Sequence, residues 1–334
     1  MKLIDLMGGA KAAALLGMCK NAGKTTALNR LIGEYAARGT VLGLTSIGRD
    51  GESRDLVTGT DKPPIYMYEG MLAATTEELL PLCDVTREIL SLPGISTSLG
   101  QVVIFRARSD GFVQLAGPSI VEQLLPLRRE LEKLGAECVL IDGALGRRSP
   151  AAGVPEQDGV CVLSTGASLN ADMELVVEDT AFAARMLCLP KATVPGPKLD
   201  RFTLFRGNEA YGAADAGELC ALLKKGAGPG EILLAGALTE SQALALLRGG
   251  AKLEGLRLIA GDGSRYLLKR ERFRKLEALG LGFAVLRPTR LAALTVNPVS
   301  AGGWRFDAGE FLEKMRAAVS VPVLDVEAEY GAEL

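Results

Sequence analysis

A glycine-rich segment near the amino terminus, LLGMCKNAGKTT, carries the residue types that bind phosphate groups. Gly17 ends an apolar run and Gly23 precedes an amphipathic one, which predicts a strand, a loop and a helix in that order. Backbone N–H groups of such a loop, together with the helix amino terminus, surround phosphate oxygens. Lys24 would reach the β- and γ-phosphates, and the Thr25 hydroxyl would ligate Mg²⁺. The residues predicted to bind the nucleotide are Gly17, Asn21, Ala22, Gly23, Lys24, Thr25 and Thr26.

The spacing of this loop departs from the common G-x-x-x-x-G-K-T pattern. Met18 stands at the position of the expected first glycine and Gly17 precedes it, so the pattern is G-x5-G-K-T. The order of strand, glycine loop and amphipathic helix favours a phosphate-binding loop. The alternative is a glycine-rich turn that precedes a helix by chance.

Two acidic positions follow apolar runs farther along the chain. Asp142 comes directly after the run CVLI, at the end of a predicted strand, which is typical of a carboxylate that holds Mg²⁺ beside a nucleotide. Asp50, with Glu52 and Asp55, follows a predicted strand at 41–46 and could form a Mg²⁺-binding or switch segment. A solvated acidic turn is the alternative for these three residues.

Other residues near predicted strand ends have open roles. Arg147 and Arg148 could contact a phosphate or lie at the surface. The segment LSTGAS (163–168) stands where base-contacting residues often lie in parallel sheets, although the guanine motif N-K-x-D does not occur. Trp304, the single tryptophan, could contact a ligand or partner or anchor in the core. Cys19, inside the glycine-rich loop, is either a small spacer or an oxidisable thiol.

Short apolar runs alternate with amphipathic segments and so predict the elements that must position these residues. Leu28, Leu31, Ile32 and Tyr35 form one helix face after the glycine-rich loop. Capping-box pairs predict further helices at 75–92 and 119–135, and a helix is expected near 171–187. The predicted strands are 12–16, 41–46, 101–107, 137–142 and 159–165. This alternation predicts an α/β fold with a mainly parallel sheet and helices on both faces.

Length and composition predict about two domains. The chain has 334 residues, and domains commonly contain about 150. We expect a nucleotide-binding domain at 1–190, a Pro/Gly-rich connection at 191–230, and a second, smaller α/β region at 231–334. In that region Thr239 and Gln242 predict a capped helix.

Composition excludes several kinds of chemistry. The chain contains no histidine, so Ser-His-Asp and Cys-His catalysis and His-ligated metal sites are ruled out. The net charge is −2, which gives no global attraction to nucleic acid or to an anionic membrane. The six cysteines are scattered, which is typical of reduced thiols in a cytosolic protein. The sequence has no run of about 20 apolar residues that could span a bilayer, and we expect no signal peptide. We therefore predict a cytoplasmic protein.

The extended loop resembles that of the dethiobiotin synthetase-like and cobyrinate-amidase-like branch of P-loop proteins. In that branch a carboxylate after the second strand and an acidic-Gly-Ala element after a later strand hold Mg²⁺. The resemblance implies metal roles for Asp50, in SIGRDGE, and Asp142, in VLIDGALG, beside Thr25. The catalytic residues that we predict are Lys24, which would neutralise phosphate charge, and Asp50 and Asp142, which would arrange the metal. Dethiobiotin synthetases have a Lys-Pro pair at the end of the second strand, where this chain has TSIG at 45–48.

A second resemblance covers more of the chain. The run GMCKNAGKTTALN, followed by SIGRDGE, LAGPS, IDGALGRR and LSTGAS, resembles the P-loop subunit of the lysine 5,6-aminomutase reactivase. The resemblance implies ATP turnover that drives release of damaged cobalamin from an adenosylcobalamin-dependent aminomutase. It also implies a MutS-like ATPase subunit as partner.

Three functions are therefore expected alternatives. The first is a partner-coupled ATPase, in which Mg²⁺-ATP is bound and water attacks the γ-phosphate. The second is an ATP-dependent ligase or kinase of the dethiobiotin synthetase type. The third is a nucleotide-binding subunit without turnover. The sequence does not determine whether the nucleotide is ATP or GTP. It also leaves open whether several copies of the chain associate.

Overall fold

The computed structural model describes residues 1–47, 64–118, 120–143, 154, 158–226 and 228–326. The chain forms two compact units, of which unit 1 comprises Met1–Ala181 with Arg290–Leu334 and unit 2 comprises Phe182–Thr289. These bounds differ from the three consecutive segments predicted above, 1–190, 191–230 and 231–334. The chain leaves unit 1 and returns to it, so the residues from 290 onward share a unit with the glycine-rich loop.

Strands and helices alternate along most of the described chain. The strands are β1 (Ala12–Gly17), β2 (Leu42–Ser46), β3 (Ile65–Met67), β4 (Leu72–Thr76), β5 (Arg87–Ser91), β6 (Ser96–Thr97), β7 (Gly100–Ala107), β8 (Gly111–Val113), β9 (Cys138–Asp142), β10 (Gly159–Gly166), β11 (Phe202–Arg206), β12 (Glu209–Ala213), β13 (Gly230–Leu234), β14 (Leu238–Thr239), β15 (Leu256–Ala260), β16 (Tyr266–Leu267), β17 (Gly282–Val285), β18 (Leu291–Asn297) and β19 (Val323–Asp325). The α-helices are α1 (Lys24–Ala36), α2 (Leu124–Lys133), α3 (Met173–Leu187), α4 (Ala216–Lys225), α5 (Glu240–Arg248), α6 (Arg270–Ala278) and α7 (Ala308–Ala318). None of these helices is both long and apolar enough to cross a membrane.

The main sheet of unit 1 has ten strands in the order β19-β18-β10-β1-β9-β2-β4-β7-β5, with β6 paired to β7. Neighbours from β19 to β4 pair in parallel, whereas β7 is antiparallel to β4, β5 and β6. The predicted α/β class with a mainly parallel sheet is confirmed. Parallel pairing brings the carboxyl ends of β1, β9, β10 and β18 to one edge of the sheet, where the glycine-rich loop begins.

Helices cover both faces of this sheet. Leu28 and Leu31 of α1 share a buried cluster with Leu44 of β2 and with alternate residues of β1 and β9. Gly43 faces the opposite way, because successive side chains of a strand alternate between faces. A Cβ at Gly43 would lie 3.3 Å from Cβ of Leu131 in α2, so α2 packs on the second face.

The predicted helix at 75–92 is wrong. This segment contains the end of β4, a short 3-10 helix at Leu80–Leu82 and all of β5. Thr75 does not cap a helix, since its hydroxyl donates to the carbonyl oxygen of Gln114 at 2.6 Å. The residue pairs with Val103 in the antiparallel ladder between β4 and β7. A capping pattern is a local signal, and here pairing with a strand distant in sequence prevails.

Unit 2 contains a five-stranded sheet in the order β12-β11-β13-β15-β17. The predicted Pro/Gly-rich connection at 191–230 is wrong over much of its length, because β11 and β12 form a hairpin there and α4 follows with Asp215 as its N-cap. The capping box of Thr239 and Gln242 is confirmed at the start of α5. The core of unit 2 packs Phe273 against Phe283, with their ring centroids 4.0 Å apart.

A buried arginine connects α2 to the start of β10 in unit 1. Arg128 is 3% exposed and donates to both carboxylate oxygens of Asp158, at 2.6 and 3.1 Å, and to Glu132 at 2.7 Å. Hydrogen bonding from this guanidinium holds the pKa of Asp158 below its usual value. Charge-assisted, two-point bonding of this kind fixes α2 on the sheet.

Candidate functional site

The glycine-rich loop joins the carboxyl end of β1 to the amino terminus of α1. Within it Asn21 and Gly23 have left-handed backbones, with φ of 57° and 83°. In the described part of the chain Asn21 is the one residue other than glycine with a positive φ. Left-handed residues in such turns allow consecutive N–H groups to converge on one anion. Gly23 is the N-cap residue of α1 and has no side chain, so it makes no side-chain hydrogen bond to the N–H groups of the first turn.

Gly17 provides space at the entrance of this loop. A Cβ at Gly17 would lie 3.3 Å from the carbonyl oxygen of Cys19 and 3.8 Å from Cβ and Cδ of Lys24. The loop therefore turns back over the end of β1, with the Lys24 side chain beside it. The one-residue extension at Met18 is compatible with this turn, because the glycine that precedes it makes the close approach.

The structure brings Lys24 and Asp142 together. The Lys24 Nζ lies 2.7 Å from Asp142 Oδ1 and also donates to the carbonyl oxygen of Gly143. Asp142 is 1% exposed and Lys24 is 15% exposed, so the pair is held away from water. Strand pairing explains the contact, since Leu15 in β1 is in register with Asp142 in β9. The edge of the sheet thus carries one partly exposed cation and one buried anion beside the loop.

Two predicted metal ligands are within the described residues. Thr25 is the second residue of α1 and is buried, and Thr26 follows it half-buried. Asp142 is the last residue of β9. Asp50, together with Glu52, Asp55, Arg147 and Arg148, lies outside the described residues. Among the residues that are described, no three acidic or thiol side chains are grouped to hold a metal ion.

The end of β2 packs directly against Asp142. Ser46 pairs with it in register, and the Ser46 hydroxyl donates to the Asp142 backbone carbonyl at 3.2 Å. Gly117, in the LAGPS segment, covers this point, because a Cβ there would lie 2.0 Å from the Ser46 carbonyl oxygen. Where dethiobiotin synthetases have a Lys-Pro pair, β2 of this chain ends in Thr45 and Ser46, and both are buried.

The end of β10 and the residues that follow it have mainly structural contacts. The Thr165 hydroxyl is fully buried and lies 2.8 Å from the hydroxyl of Thr180 in α3, so it does not face a ligand. Ser168 Oγ accepts from the backbone N–H of Ala301 at 3.2 Å. Trp304 donates its indole N–H to the carbonyl oxygen of Ala167 at 3.1 Å and is 39% exposed. It is thus a tethered, half-exposed ring at the edge of the sheet rather than a core residue.

Asn297, the last residue of β18, contacts the glycine-rich loop. Its Nδ2 donates to the carbonyl oxygen of Asn21 at 3.1 Å. The sequence prediction missed it, because β18 was assigned to a separate region. The available signal was its position directly after the apolar run LAALTV, where a strand ends.

Cys19 in the loop is a weak nucleophile. Burial raises the pKa of its thiol to about 11. The thiol is therefore protonated at neutral pH, which favours the spacer interpretation over an oxidisable switch.

No protein-family model, curated protein or solved structure matches the chain.

Proposed function

We propose that unit 1 is a P-loop ATPase, which binds Mg²⁺-ATP at residues 17–26 and hydrolyses it in a partner-dependent manner. The observation that carries this proposal is the contact between Lys24 and Asp142, which joins a glycine-rich loop at a helix amino terminus to a buried carboxylate on the neighbouring strand. GTP is the alternative nucleotide.

The loop suits a phosphate group sterically and electrostatically. Asn21 and Gly23 have left-handed conformations, and the N-cap glycine places no side chain over the amino terminus of α1, where backbone N–H groups can bind an anion. Gly17 leaves room at the base of the loop, where a Cβ would lie 3.3 Å from the Cys19 carbonyl oxygen. Lys24 would supply the positive charge that offsets the β- and γ-phosphates.

Phosphate binding would exchange partners within a buried charge pair. Lys24 neutralises Asp142, and a phosphate would compete for the ammonium group. Asp142, Thr25 and Asp50 would then hold Mg²⁺, which when bound would balance negative charge on the phosphate oxygens. After this exchange Lys24 would lie beside the phosphate and Asp142 beside Mg²⁺. Each charge would still have an opposite charge next to it, which favours the exchange where little water reaches the site.

The resemblance stated above supports a specific partner process. We propose that ATP hydrolysis by this protein serves reactivation of an adenosylcobalamin-dependent lysine 5,6-aminomutase, together with a MutS-like ATPase subunit. The chain contains no histidine, so it has no imidazole to offer cobalt and the cofactor would stay on the partner. None of the six cysteines, all of which lie in the described part of the chain, forms a disulfide bond, which supports a reducing, cytoplasmic location.

The end of β2 argues against the ligase alternative. Thr45 and Ser46 are buried, and the Ser46 hydroxyl donates to the backbone carbonyl oxygen of Asp142. These neutral side chains carry no charge that could position a carboxylate or an amine for reaction with ATP.

Nucleotide binding and turnover test the proposal directly. Binding of a fluorescent ATP analogue would be measured for the wild-type chain, for Lys24→Met and for Lys133→Met as a matched control, since Lys133 is 75% exposed on α2. We expect binding by the wild type and the control, and loss of binding by Lys24→Met. Equal binding by all three proteins would refute the phosphate-loop assignment.

Hydrolysis would then be measured for the chain alone, with small carboxylic acids and amines, and with the cobalamin-loaded aminomutase. Stimulation by the aminomutase supports the proposed process. Stimulation by a small molecule alone would favour the ligase or kinase. Tight binding without hydrolysis under every condition would leave a nucleotide-binding subunit without turnover.

A further inference from the structure

The side chain of Asn297 connects three segments at the carboxyl edge of the unit 1 sheet. Its Oδ1 accepts from the backbone N–H of Val299 at 2.9 Å, which assigns the orientation of the amide. Its Nδ2 therefore faces the Asn21 carbonyl oxygen, at 3.1 Å. Its backbone carbonyl accepts from the N–H of Ala167 at 2.9 Å. Asn297 is 8% exposed, so these bonds form in a site that is closed to water.

The bond to Asn21 acts at the most constrained point of the glycine-rich loop. A left-handed backbone is unfavourable for any residue with a Cβ, and asparagine tolerates it better than most. A donor to the Asn21 carbonyl oxygen favours this orientation of the peptide over a flipped one. A flipped peptide would turn a carbonyl oxygen, rather than an N–H group, toward a bound phosphate.

Asn297 also restricts Gly23. A Cβ at Gly23 would lie 3.3 Å from Cβ of Asn297, so the asparagine packs against the residue at which the loop enters α1. One side chain thus contacts both left-handed residues of the loop, at φ of 57° and 83°.

We propose that Asn297 is a positioning residue, which holds the Asn21 peptide so that the loop N–H groups are arranged for phosphate before any nucleotide arrives. This inference rests on the proposed nucleotide binding and adds a residue that lies 276 positions away in the sequence. Pre-arranged donors raise affinity because the loop does not lose conformational freedom on binding.

The test compares Asn297→Asp, Asn297→Ala and Val299→Ala in the full chain. Asn297→Asp keeps the shape and the acceptor for Val299 but removes the donor, and Asn297→Ala removes both without adding charge. Val299→Ala is the matched control, because this side chain is 50% exposed in the same segment. Dissociation constants would be measured for a fluorescent ATP analogue and, by competition, for inorganic tripolyphosphate. Thermal unfolding of each ligand-free protein would be recorded in parallel.

We expect each Asn297 variant to raise the dissociation constants of the ATP analogue and of tripolyphosphate by the same factor. This factor should be at least about fivefold, as for loss of one hydrogen bond. The control should stay within about twofold. A lower unfolding midpoint with unchanged affinity would show a merely structural side chain and overturn the inference. Weakening of the ATP analogue alone would assign Asn297 to the base or ribose and also overturn it.

The two proposals fail in different ways. A wild-type chain that binds neither ligand removes the proposed nucleotide site and this inference with it. A wild-type chain that binds both, with Asn297 variants that bind equally well, removes the positioning role alone. Asn297→Asp serves as the informative variant if Asn297→Ala does not fold.

Discussion

The ion pair of Lys24 and Asp142 leads to a prediction in which changes in folding stability and in nucleotide binding do not run in parallel. Lys24→Met removes the ammonium group that lies 2.7 Å from Asp142 Oδ1 while keeping a long, unbranched side chain. Asp142→Asn removes the negative charge and keeps the shape of its partner. The double variant removes both charges from a place where Asp142 is 1% exposed.

The magnitudes follow from the cost of a buried charge whose counterion is taken away. Loss of one partner of a buried ion pair costs about 3 to 5 kcal/mol, whereas replacement of both by neutral groups of similar volume is often nearly neutral. Lys24 is 15% exposed, so water can partly replace it, and we take the lower end, about 3 kcal/mol, for Lys24→Met. We expect about 1 kcal/mol for the double variant. Asp142→Asn would then recover about 2 kcal/mol in the Lys24→Met background.

The measurement is urea unfolding of unit 1, followed by fluorescence of Trp304, the single tryptophan, which lies in that unit. The double variant should be more stable than Lys24→Met and should still fail to bind nucleotide. This combination distinguishes a residue needed for phosphate from one needed only for folding. If the two changes destabilise additively, the pair is not electrostatically coupled and the reasoning is refuted.

Three further predictions concern single positions. With a thiol pKa of about 11, Cys19 should react with iodoacetamide at pH 7.5 far more slowly than the exposed Cys188, as followed by peptide mass mapping; equal rates would contradict the burial of its thiol. Because the pKa of Asp158 is lowered in the folded state, its contribution to stability is present above its unfolded pKa of about 4 and is lost as pH falls through the folded value. Asp158→Asn should therefore be less stable than the wild type at pH 7 and lose less stability between pH 5 and pH 3 in urea titrations; parallel curves would show that this carboxylate does not control the acid limb. Gly23→Ala and Gly39→Ala both place a Cβ at positive φ and should each lower stability by at least about 1 kcal/mol, but only Gly23→Ala should abolish binding of the ATP analogue, and equal binding by the two would remove Gly23 from the site.

The sequence alone determined the local architecture around the loop. Apolar residues 12–16, the glycine-rich segment and the periodic face from Leu28 to Tyr35 predicted a strand, a loop and a helix, and the structure has β1, residues 18–23 and α1 there. These elements depend on local spacing and chain stiffness, which a pattern of residues contains. The buried apolar runs likewise predicted the mainly parallel sheet, because only strands covered on both faces are apolar throughout.

Long-range pairing decided what local patterns could not. The Thr75 to Leu92 segment carries a helix-capping pattern, yet it contains the end of β4 and all of β5, since both strands pair with β7. The residues from 290 onward followed a second α/β segment in sequence, yet β18 pairs with β10 and returns to unit 1. Hydrogen bonding between strands that are far apart in sequence leaves no signal in the residue pattern of either strand alone.

The candidate site shows the same division. Residue types and spacing selected Lys24 and Asp142 separately, but their 2.7 Å contact depends on β1 and β9 being neighbours in the sheet. Asn297 was not selected, because a lone asparagine after a strand acquires a role only when another loop lies within reach of its amide. The sequence determines which side chains are available for chemistry, whereas the order of strands in the sheet determines which of them meet, because parallel strands bring their carboxyl ends to one edge from any distance along the chain.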